Sequence, residues 1–293
     1  MRTVWNILVS VAIGYCAIVL LVYLFQSRLV FFPDTAREFS ATPQTYGLAF
    51  ESAQIRTVDG ETLHGWWIPA EGGSPAEGST TQGSTTGGSA TRGIVLLFHG
   101  NAGNISHRID YAQMFNRMGY ACLLVDYRGY GKSSGSPSEE GTYQDALAAW
   151  NWLQSRGAKP GDVVIAGESL GGGVASWLAA QHAPRALLLM SAFTSIPELA
   201  AKIYPFLPVR LISRISYDTL ANLRRIKAPV LIAHSRGDEV VPFAHGEALY
   251  AAAGEPKQFL ELQGSHNTGF IFAREDWVRA VEKFLEQQRP GNN

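Results

Sequence analysis

Three polar residues in the second half of the sequence are of the types that an acyl-transfer enzyme requires. Ser169 lies in the segment Gly-Glu-Ser-Leu-Gly, a G-x-S-x-G pattern. A serine hydroxyl is a weak nucleophile at neutral pH and needs a neighbouring imidazole, which a carboxylate in turn must hold. Asp238 and His266 follow Ser169 in the chain order serine, acid, histidine. We therefore predict that Asp238 orients the imidazole and stabilises the imidazolium, and that His266 acts as general base and then as general acid.

The surroundings of Ser169 indicate a sharp turn between a strand and a helix. The apolar residues 163–166 predict a strand that leads directly into Gly167, and an apolar helix pattern follows Gly171. Glycines on both sides of the serine fit this turn, which leaves no room for side chains. A second match to the same pattern, residues 131–135, runs into a Ser-Pro-Ser segment instead, so we interpret that match as a loop.

The acid and the base each have an alternative. His245 could serve as the base, but it lies within a predicted helix, whereas His266 follows the end of a predicted strand. Asp238 could instead cap the helix that begins after Pro242, with Glu239 as the neighbouring carboxylate. We favour Asp238 and His266 because both follow strand ends, as the serine does.

Acyl transfer also requires hydrogen-bond donors for the developing oxyanion. The backbone N–H of Leu170, directly after the serine, is one predicted donor. The glycine-rich loop after the predicted strand 94–98 should supply the second, and Asn101 is the candidate. An ordinary strand-to-helix turn is the alternative, and it is compatible with this role because the donor is a backbone group.

Composition excludes several classes of protein. The 293 residues are 46% hydrophobic, with 24 basic and 25 acidic side chains, which excludes a disordered tail and a polybasic nucleic-acid binder. Cys16 and Cys122 are the only cysteines, so a disulfide framework and a cysteine-based zinc site are excluded as well. Serine, histidine and aspartate complete the predicted chemistry without a cofactor or a metal.

Apolar segments rich in β-branched residues alternate with helical patterns after Gly93, as is typical of parallel strands joined by crossover helices. The predicted strands are 94–98, 121–126, 163–166, 186–190, 230–234 and 258–262. The predicted helices include 108–118, 143–156, 170–182, 244–253 and 275–288. Upstream, segments 49–57 and 62–69 predict a hairpin around Asp59-Gly60. The fold class is therefore α/β, a doubly wound and mostly parallel sheet with its chemistry at the carboxyl ends of the strands.

The amino terminus predicts a single-pass membrane anchor. Residues 3–27 carry no charge, and at ~1.5 Å per residue they form a helix longer than the ~30 Å hydrocarbon layer. Large residues precede Arg28 where a cleaved signal peptide would have small ones, so we expect no cleavage. A lipid anchor on Cys16 is disfavoured because a tyrosine precedes it. Arg2 and Arg28 balance each other, so the charges leave open which side of the membrane the catalytic domain faces.

Composition also divides the chain into an anchor (1–27), a polar connector (28–48), a domain (49–288) and a tail (289–293). Within the domain, Gly, Ser or Thr occupies 15 of the 22 positions from 71 to 92, and we predict a flexible insertion there. Residues 194–227 are a predicted cap whose middle is apolar and aromatic. This cap could cover an acyl chain, contact the bilayer or simply pack on the sheet.

Several sequence blocks carry a resemblance to a known family: GIVLLFHGNAGNISHR at 93–108, DYRGYG at 126–131, GESLG at 167–171, GDEVVP at 237–242 and GSH at 264–266, with FFP at 31–33 and DGETLHGWW at 59–67. Together they resemble the α/β-hydrolase superfamily and, more narrowly, the Bem46-like group of membrane-anchored serine hydrolases, over residues 28–288. The resemblance implies the same triad of Ser169, Asp238 and His266. The insertion at 71–92 departs from the group's pattern, so no substrate preference is carried over.

We predict a membrane-anchored serine hydrolase that cleaves an ester or thioester bond through an acyl-enzyme. Its expected partners are a small-molecule or acyl substrate and the lipid bilayer, without nucleic acid. A serine peptidase of the same fold is the nearest alternative, although no residue indicates a groove for an amide substrate. A non-catalytic binding scaffold would predict a broken triad or oxyanion loop, and neither is broken in this sequence.

Overall fold

The computed structural model describes residues 1–33, 38–70 and 91–289. The predicted insertion at 71–92 therefore lies outside the described residues, except for Thr91 and Arg92. Residues 34–37 of the predicted connector and 290–293 of the predicted tail lie outside them as well.

The chain begins with helix α1 (Arg2–Leu24), followed by the short helix α2 (Gln26–Val30). Helix α1 is long and apolar enough to cross a membrane, as the sequence predicts. No side chain of α1 is fully buried by the described residues, and only Val19 and Val22 are partly buried. Because the large apolar side chains of α1 are mostly exposed, this helix is not a core helix of the domain.

A mixed sheet forms the centre of the domain. Two short strands, β1 (Phe32–Pro33) and β5 (Ala102–Gly103), form a separate parallel pair. The main strands are β2 (Glu51–Arg56), β3 (Thr62–Ile68), β4 (Gly93–Phe98), β6 (Tyr120–Val125), β7 (Val163–Glu168), β8 (Ala186–Met190), β9 (Val230–Ser235) and β10 (Lys257–Leu262).

The longer helices that join them are α3 (Ile109–Arg117), α4 (Glu139–Ser155), α5 (Leu170–Ala179), α9 (Phe243–Ala252) and α10 (Glu275–Gln287). Between β8 and β9 lie three short helices, α6 (Ile196–Ile203), α7 (Val209–Ile212) and α8 (Thr219–Leu223). Helices therefore occur where the alternating pattern predicts them, with boundaries that differ by a few residues.

The eight main strands are ordered β10-β9-β8-β7-β4-β6-β3-β2 across the sheet. The six main strands from β4 onward are parallel, whereas β2 and β3 form the predicted antiparallel hairpin and β3 pairs antiparallel with β6. Strands β6 to β9 are buried along their whole length, because helices cover both faces, and this explains their continuous apolar sequences.

Two hydrophobic clusters, one on each face, hold the sheet between its helices. Side chains from α4, α5, α8 and α9 pack with the odd-numbered residues of β7, such as Ile165. Side chains from α3 and α10 pack with the alternate residues, such as Val164 and Ala166. This alternation follows from the two-residue period of a strand. The chain reverses its direction of winding on either side of β4, and in such sheets this is where a site forms.

Candidate active site

Ser169 stands at the junction of β7 and α5 in a strained backbone conformation. Its φ is +52° and its ψ is −114°, a region that L-residues with a side chain rarely adopt. The backbone N–H of Ser169 donates to Met190 O at 2.9 Å, which ties the turn to the neighbouring strand β8. Only 8% of the residue is exposed. The strand-turn-helix setting predicted around the serine is the one the structure has.

Glycines allow this turn to form. A Cβ atom at Gly167 would lie 2.2 Å from Gly171 O, and one at Gly171 would lie 2.2 Å from Phe98 O. Either contact is far below van der Waals distance, so the start of α5 can approach the ends of β7 and β4 only without side chains there. The second match to the serine pattern behaves differently, since the buried Ser133 is followed by a loop and not by a helix.

Asp238 and His266 are brought together by two neighbouring strands. In the register of β9 and β10, Ser235 pairs with Leu262, and the two side chains follow these strand ends by a few residues. Asp238 Oδ2 lies 2.7 Å from His266 Nδ1. A carboxylate can only accept here, so the Nδ1–H donates and the proton-free Nε2 of the neutral ring points away from the acid.

The carboxylate of Asp238 is held by further donors. The backbone N–H groups of Val240 and Val241 donate to its Oδ1 at 3.0 and 2.7 Å. Burial by itself would raise the pKa of Asp238, but the hydrogen bond and charge of His266, together with the Val241 N–H, hold the pKa below its usual value. The backbone N–H of His266 donates to Glu239 Oε2 at 3.0 Å, so Glu239 holds the loop and Asp238 holds the ring.

The alternative base, His245, is buried near the start of α9. Its Nδ1 lies 2.9 Å from Thr194 Oγ1, and no carboxylate of the described residues hydrogen-bonds to it. Burial lowers the pKa of His245 to about 4. Its surroundings are those of a neutral packing histidine and not of an imidazole paired with an acid.

The loop after β4 lies beside the serine. A Cβ atom at Gly100 would be 3.6 Å from Ser169 Cβ, so the backbone of this loop passes directly against the nucleophile position. The backbone N–H groups of Asn101 and Leu170 donate no hydrogen bond to any described residue. Both predicted oxyanion donors, Asn101 in the loop after β4 and Leu170 at the start of α5, are therefore unengaged.

The residues just after the amino-terminal helices hold Asn101. Its side-chain Nδ2 donates to Val30 O at 3.1 Å, and its carbonyl oxygen accepts from Phe32 N–H at 2.9 Å. Tyr130 Oη also donates to Asn101 O, at 2.9 Å. These contacts are not predicted from the sequence, because the residues are far apart in the chain and no periodic pattern connects them.

A buried pair supports the same loop. The Nδ1–H of His99 donates to Gly100 O at 2.7 Å, and burial lowers the pKa of His99 to about 3, so this ring is neutral. Asp126 Oδ1 accepts from Ile105 N–H at 2.9 Å and lies 3.6 Å from His99 Nε2. Burial raises the pKa of Asp126 to about 7, although the Ile105 N–H opposes this shift. The structure places His99 as a support of the loop.

Glu168, the residue before the serine, forms a buried ion pair that the sequence analysis does not identify. Arg108 Nε lies 2.5 Å from Glu168 Oε2, and Arg108 Nη2 donates to Oε1 at 2.9 Å. Burial alone would lower the pKa of Arg108, but the charge and hydrogen bond of Glu168 outweigh burial and raise it. The pair links the loop after β4 to the serine turn.

Two further observations define the site. Ser169 Oγ makes no hydrogen bond to any described residue, so the structure brings Asp238 and His266 into contact but does not show a bond from the serine to the imidazole. Within residues 1–33, 38–70 and 91–289, no group of three or more His, Cys, Asp or Glu side chains is arranged to hold a metal ion.

The chain is similar to several known proteins. A family model described as "Serine aminopeptidase, S33" matches residues 89–216. The uncharacterized protein Rv2307c of Mycobacterium tuberculosis is 35% identical over 281 residues, which cover 94% of this chain and 93% of that protein. Protein bem46 of Schizosaccharomyces pombe is 32% identical over 247 residues, covering 80% and 77%. The chain belongs to the Bem46-like group of α/β-hydrolases.

Further relatives of this group and a solved structure extend the comparison. Lysophosphatidylserine lipase ABHD12 of Mus musculus is 30% identical over 303 residues, which cover 92% of this chain and 74% of that protein. An esterase of Pyrococcus furiosus superposes with a TM-score of 0.68 at 20% identity, covering 89% of this chain and 98% of that one, and shows the shared fold. The predicted family, fold class and enzyme class are confirmed: this α/β-hydrolase-fold protein is a hydrolase.

The close contacts of the glycines at the serine turn can be tested by measuring the stability of glycine-to-alanine variants. We expect Gly171→Ala to destabilise the protein by about 2 kcal/mol, because the new Cβ must displace the end of β4. The helix propensity of alanine opposes this effect by only about 1 kcal/mol. Gly161→Ala is the control, since no atom would lie within 4 Å of a Cβ at that position and its stability should hardly change. Thermal unfolding of both variants in detergent measures the difference, and equal melting temperatures would contradict the assigned contact.

The buried carboxyl of Asp126 should make stability depend on pH. Its pKa is about 7 in the folded protein and about 3.9 in an unfolded chain, so the neutral acid stabilises the fold. This contribution is fully present below about pH 4 and is lost as the pH rises to about 7, by at most about 4 kcal/mol.

We expect Asp126→Asn to flatten the change in unfolding free energy between pH 4 and pH 7. Glu275→Gln, which alters an exposed carboxylate in the first turn of α10, should keep the parent's pH dependence. Chemical unfolding at several pH values measures both variants. A parent-like slope in Asp126→Asn would mean that Asp126 ionises equally easily in the folded and unfolded states.

Proposed function

We propose that the protein is a membrane-anchored serine hydrolase that cleaves an ester or thioester bond through an acyl-enzyme, with Ser169, Asp238 and His266 as its triad. The observation that carries the proposal is the 2.7 Å hydrogen bond between Asp238 Oδ2 and His266 Nδ1. It fixes the tautomer in which Nε2 is free to accept a proton, as a general base requires. The strained serine at the head of α5, of which 8% is exposed, supports the same interpretation.

In the proposed reaction, Ser169 Oγ attacks the carbonyl carbon while His266 Nε2 takes the hydroxyl proton. The developing oxyanion accepts from the backbone N–H groups of Asn101 and Leu170, which have no acceptor among the described residues. The imidazolium then protonates the leaving alcohol or thiol, and the acyl group stays on Ser169. A water molecule, deprotonated by His266, releases the acid and restores the serine.

The buried ionic groups around the site would serve this chemistry indirectly. Asp238 stays ionised because its pKa is lowered, so it can stabilise the imidazolium throughout the pH range in which His266 works. The pair of Arg108 and Glu168 is neutral overall and ties the residue before the nucleophile to the segment after β4. Neither group is placed to exchange protons with substrate, and we assign them a positioning role.

Helix α1 supports the proposed anchoring. Its 23 residues correspond to roughly 35 Å, enough to cross a hydrocarbon layer of about 30 Å. Its large apolar side chains, such as Ile7, Leu8 and Leu20, are more than half exposed. A helix with this much exposed apolar surface is stable in lipid and costly in water.

We propose an apolar acyl group as part of the substrate. The cap exposes several large apolar side chains, and a relative in the same group is named as a lipase for lysophosphatidylserine. A lipase cleaves an acyl ester, so the same reaction class on this chain is consistent with the proposed triad.

A serine peptidase is the second candidate, because the matching family model is described as a serine aminopeptidase. That model ends at residue 216, before both Asp238 and His266. Hydrolysis of an ester and an amide with the same acyl group separates the two functions. Faster cleavage of the amide than of the ester, relative to their uncatalysed rates, would favour the peptidase.

The nucleophile is tested with a fluorophosphonate probe on the detergent-solubilised full-length protein. We expect one covalent adduct in the intact mass of the parent and none in Ser169→Ala. Ser133→Ala is the matched control because Ser133 occupies the second G-x-S-x-G match, where its Oγ is buried and donates to Asp126 O. This control should still be labelled, provided that its circular dichroism shows a folded protein. A folded parent without an adduct would withdraw the proposed nucleophile and favour a binding scaffold.

The acid is tested separately by kinetics. Asp238→Asn keeps the shape of the side chain but favours the wrong imidazole tautomer, so we expect kcat to fall by about 10⁴-fold. Glu239→Gln removes the neighbouring carboxylate and should cost far less, because among the described residues Glu239 hydrogen-bonds only to the His266 backbone N–H. If Glu239→Gln had the larger effect, the assignment of the acid would be wrong.

The apolar acyl group is tested with a series of soluble esters that differ in chain length. Each methylene buried in the transition state contributes about 0.8 kcal/mol, so kcat/KM should rise roughly fourfold per added methylene until the pocket is filled. A kcat/KM that is independent of chain length would exclude an acyl-binding surface. That result would not contradict the assignment of Ser169 as the nucleophile.

A further inference from the structure

The middle of the cap carries an exposed apolar surface that belongs to neither hydrophobic cluster of the domain. We call residues 203–211, from the end of α6 into α7, the cap tip. Phe206 is 66% exposed and Leu211 is 88% exposed, and Ile203 and Tyr204 are exposed as well. An apolar patch of this kind on a folded protein marks a contact surface.

The cap tip lies alongside helix α1. The hydroxyl of Tyr15, in the second half of α1, donates to Phe206 O at 2.8 Å. The two partly buried residues of α1, Val19 and Val22, lie on the same face as Tyr15 and the buried Gln26, at spacings of three and four residues. One face of the amino-terminal helices therefore packs on the domain, while the other faces are free.

A second set of contacts fixes the height of the cap along the helix. Gln26 Nε2 donates to Ile212 O, and Arg214 N–H donates to Gln26 Oε1, both at 2.7 Å. Arg214 Nη2 also donates to Tyr23 O at 3.1 Å, with its guanidinium 4.7 Å from the centre of the Tyr23 ring. The polar residues Gln26 and Arg214 thus lie at the carboxyl end of α1, and the cap tip extends from there towards its middle.

The position of Tyr15 sets the depth of the cap tip. Leu24, the last residue of α1, lies nine positions after Tyr15, which corresponds to roughly 13 Å along the axis. The helix exceeds the hydrocarbon thickness by only about 5 Å in total. A helix that spans the bilayer therefore carries Tyr15, and the Phe206 carbonyl bonded to it, about 10 Å below the surface of the hydrocarbon layer.

We propose that the cap tip is embedded in the bilayer leaflet next to the catalytic domain, so that the protein contacts the membrane through both α1 and the cap. The inference rests on the proposed membrane anchoring and adds a second contact to it. Phe206 and Leu211 are the side chains that enter the acyl region. Amphipathic elements at membrane surfaces bury their apolar side by a comparable depth of about 5–10 Å.

Several polar groups in and beside the cap tip suit such a location. An unsatisfied carbonyl in hydrocarbon costs several kcal/mol, and the Tyr15 hydroxyl satisfies that of Phe206. Pro205 and Pro208 have no N–H to satisfy. Arg210 is neutralised by Glu198 through two bonds of 2.7 and 2.9 Å. The other charged side chain between Glu198 and Arg210, Lys202, is exposed and long enough to extend to the interface.

The test measures depth at single labelled sites in the full-length protein in phosphatidylcholine nanodiscs. The background is Cys16→Ala, in which the remaining native thiol, Cys122, is buried. Phe206→Cys and Leu211→Cys place an environment-sensitive fluorophore on the cap tip. Val58→Cys places it on the hairpin turn between β2 and β3, where the residue is 83% exposed. Leu20→Cys places it on a free face of α1.

Each label is quenched either by lipids with a nitroxide on an acyl carbon or by iodide in the water. We expect the labels at 206 and 211 to lose emission with the acyl nitroxide and to be protected from iodide, and the label at 58 to behave in the opposite way. The label at 20 reports the anchor itself and should also be quenched by the acyl nitroxide.

The outcomes distinguish a failure of the cap inference from a failure of the proposed membrane anchoring. If position 20 is quenched by the acyl nitroxide while 206 and 211 are quenched by iodide, α1 is anchored and the embedded cap tip is wrong. If the label at position 20 is instead quenched by iodide and not by the acyl nitroxide, the proposed membrane anchoring is wrong, and the cap inference is wrong with it. Circular dichroism of each labelled protein establishes that a loss of protection does not come from unfolding.

Discussion

The site depends on the close approach of three backbone segments at the serine turn: the end of β4, the end of β7 and the start of α5. Carbonyl oxygens of Phe98 and Gly171 occupy the space in which side chains at Gly171 and Gly167 would lie. This contact forces Ser169 into a positive φ and holds it there through the Met190 carbonyl. The strain of this conformation, of order 1–3 kcal/mol, is tolerated because the buried strands on both sides over-determine it.

The same contact places the loop after β4 against the serine, and a shell of buried polar groups keeps it there. His99, Asp126 and the pair of Arg108 and Glu168 lie within this shell. Burial displaces the pKa values of His99 and Asp126 because it penalises charge, and the ion pair of Arg108 and Glu168 is bidentate. These buried groups therefore lower the stability of the protein at neutral pH, but they hold the loop after β4 in place. Perturbed buried groups of this kind are common at functional sites.

The amino-terminal segment, which we propose as the membrane anchor, is also part of the domain. Through Val30 and Phe32 it hydrogen-bonds to both the side chain and the carbonyl of Asn101, and through Gln26 it hydrogen-bonds to the cap. The proposed oxyanion donor and the cap are thus connected to the same helix end. In the proposed membrane arrangement, this connection would keep the entrance of the site at the bilayer surface, where an amphiphilic substrate is concentrated.

The order of the elements and the residue types of the site could be predicted from the sequence. Continuous apolar strands, helices between them and Gly-Glu-Ser-Leu-Gly at a strand end are local patterns, and local patterns depend only on neighbouring residues. Placing Asp238 and His266 beyond strand ends was enough to expect them at one edge of a parallel sheet. Predicted boundaries were less accurate, as at α4, which begins at Glu139 and not at residue 143, because Ser138 caps it.

Only the tertiary structure could decide which distant groups meet. The sequence does not determine that Asn101 is held by Val30 and Phe32, that Glu168 pairs with Arg108, or that Tyr15 reaches the cap. It also left open whether the cap packs on the sheet or stays exposed. Each of these contacts joins residues separated by tens to hundreds of positions, and the chain brings such residues together only when the strand order and the packing of both faces are set.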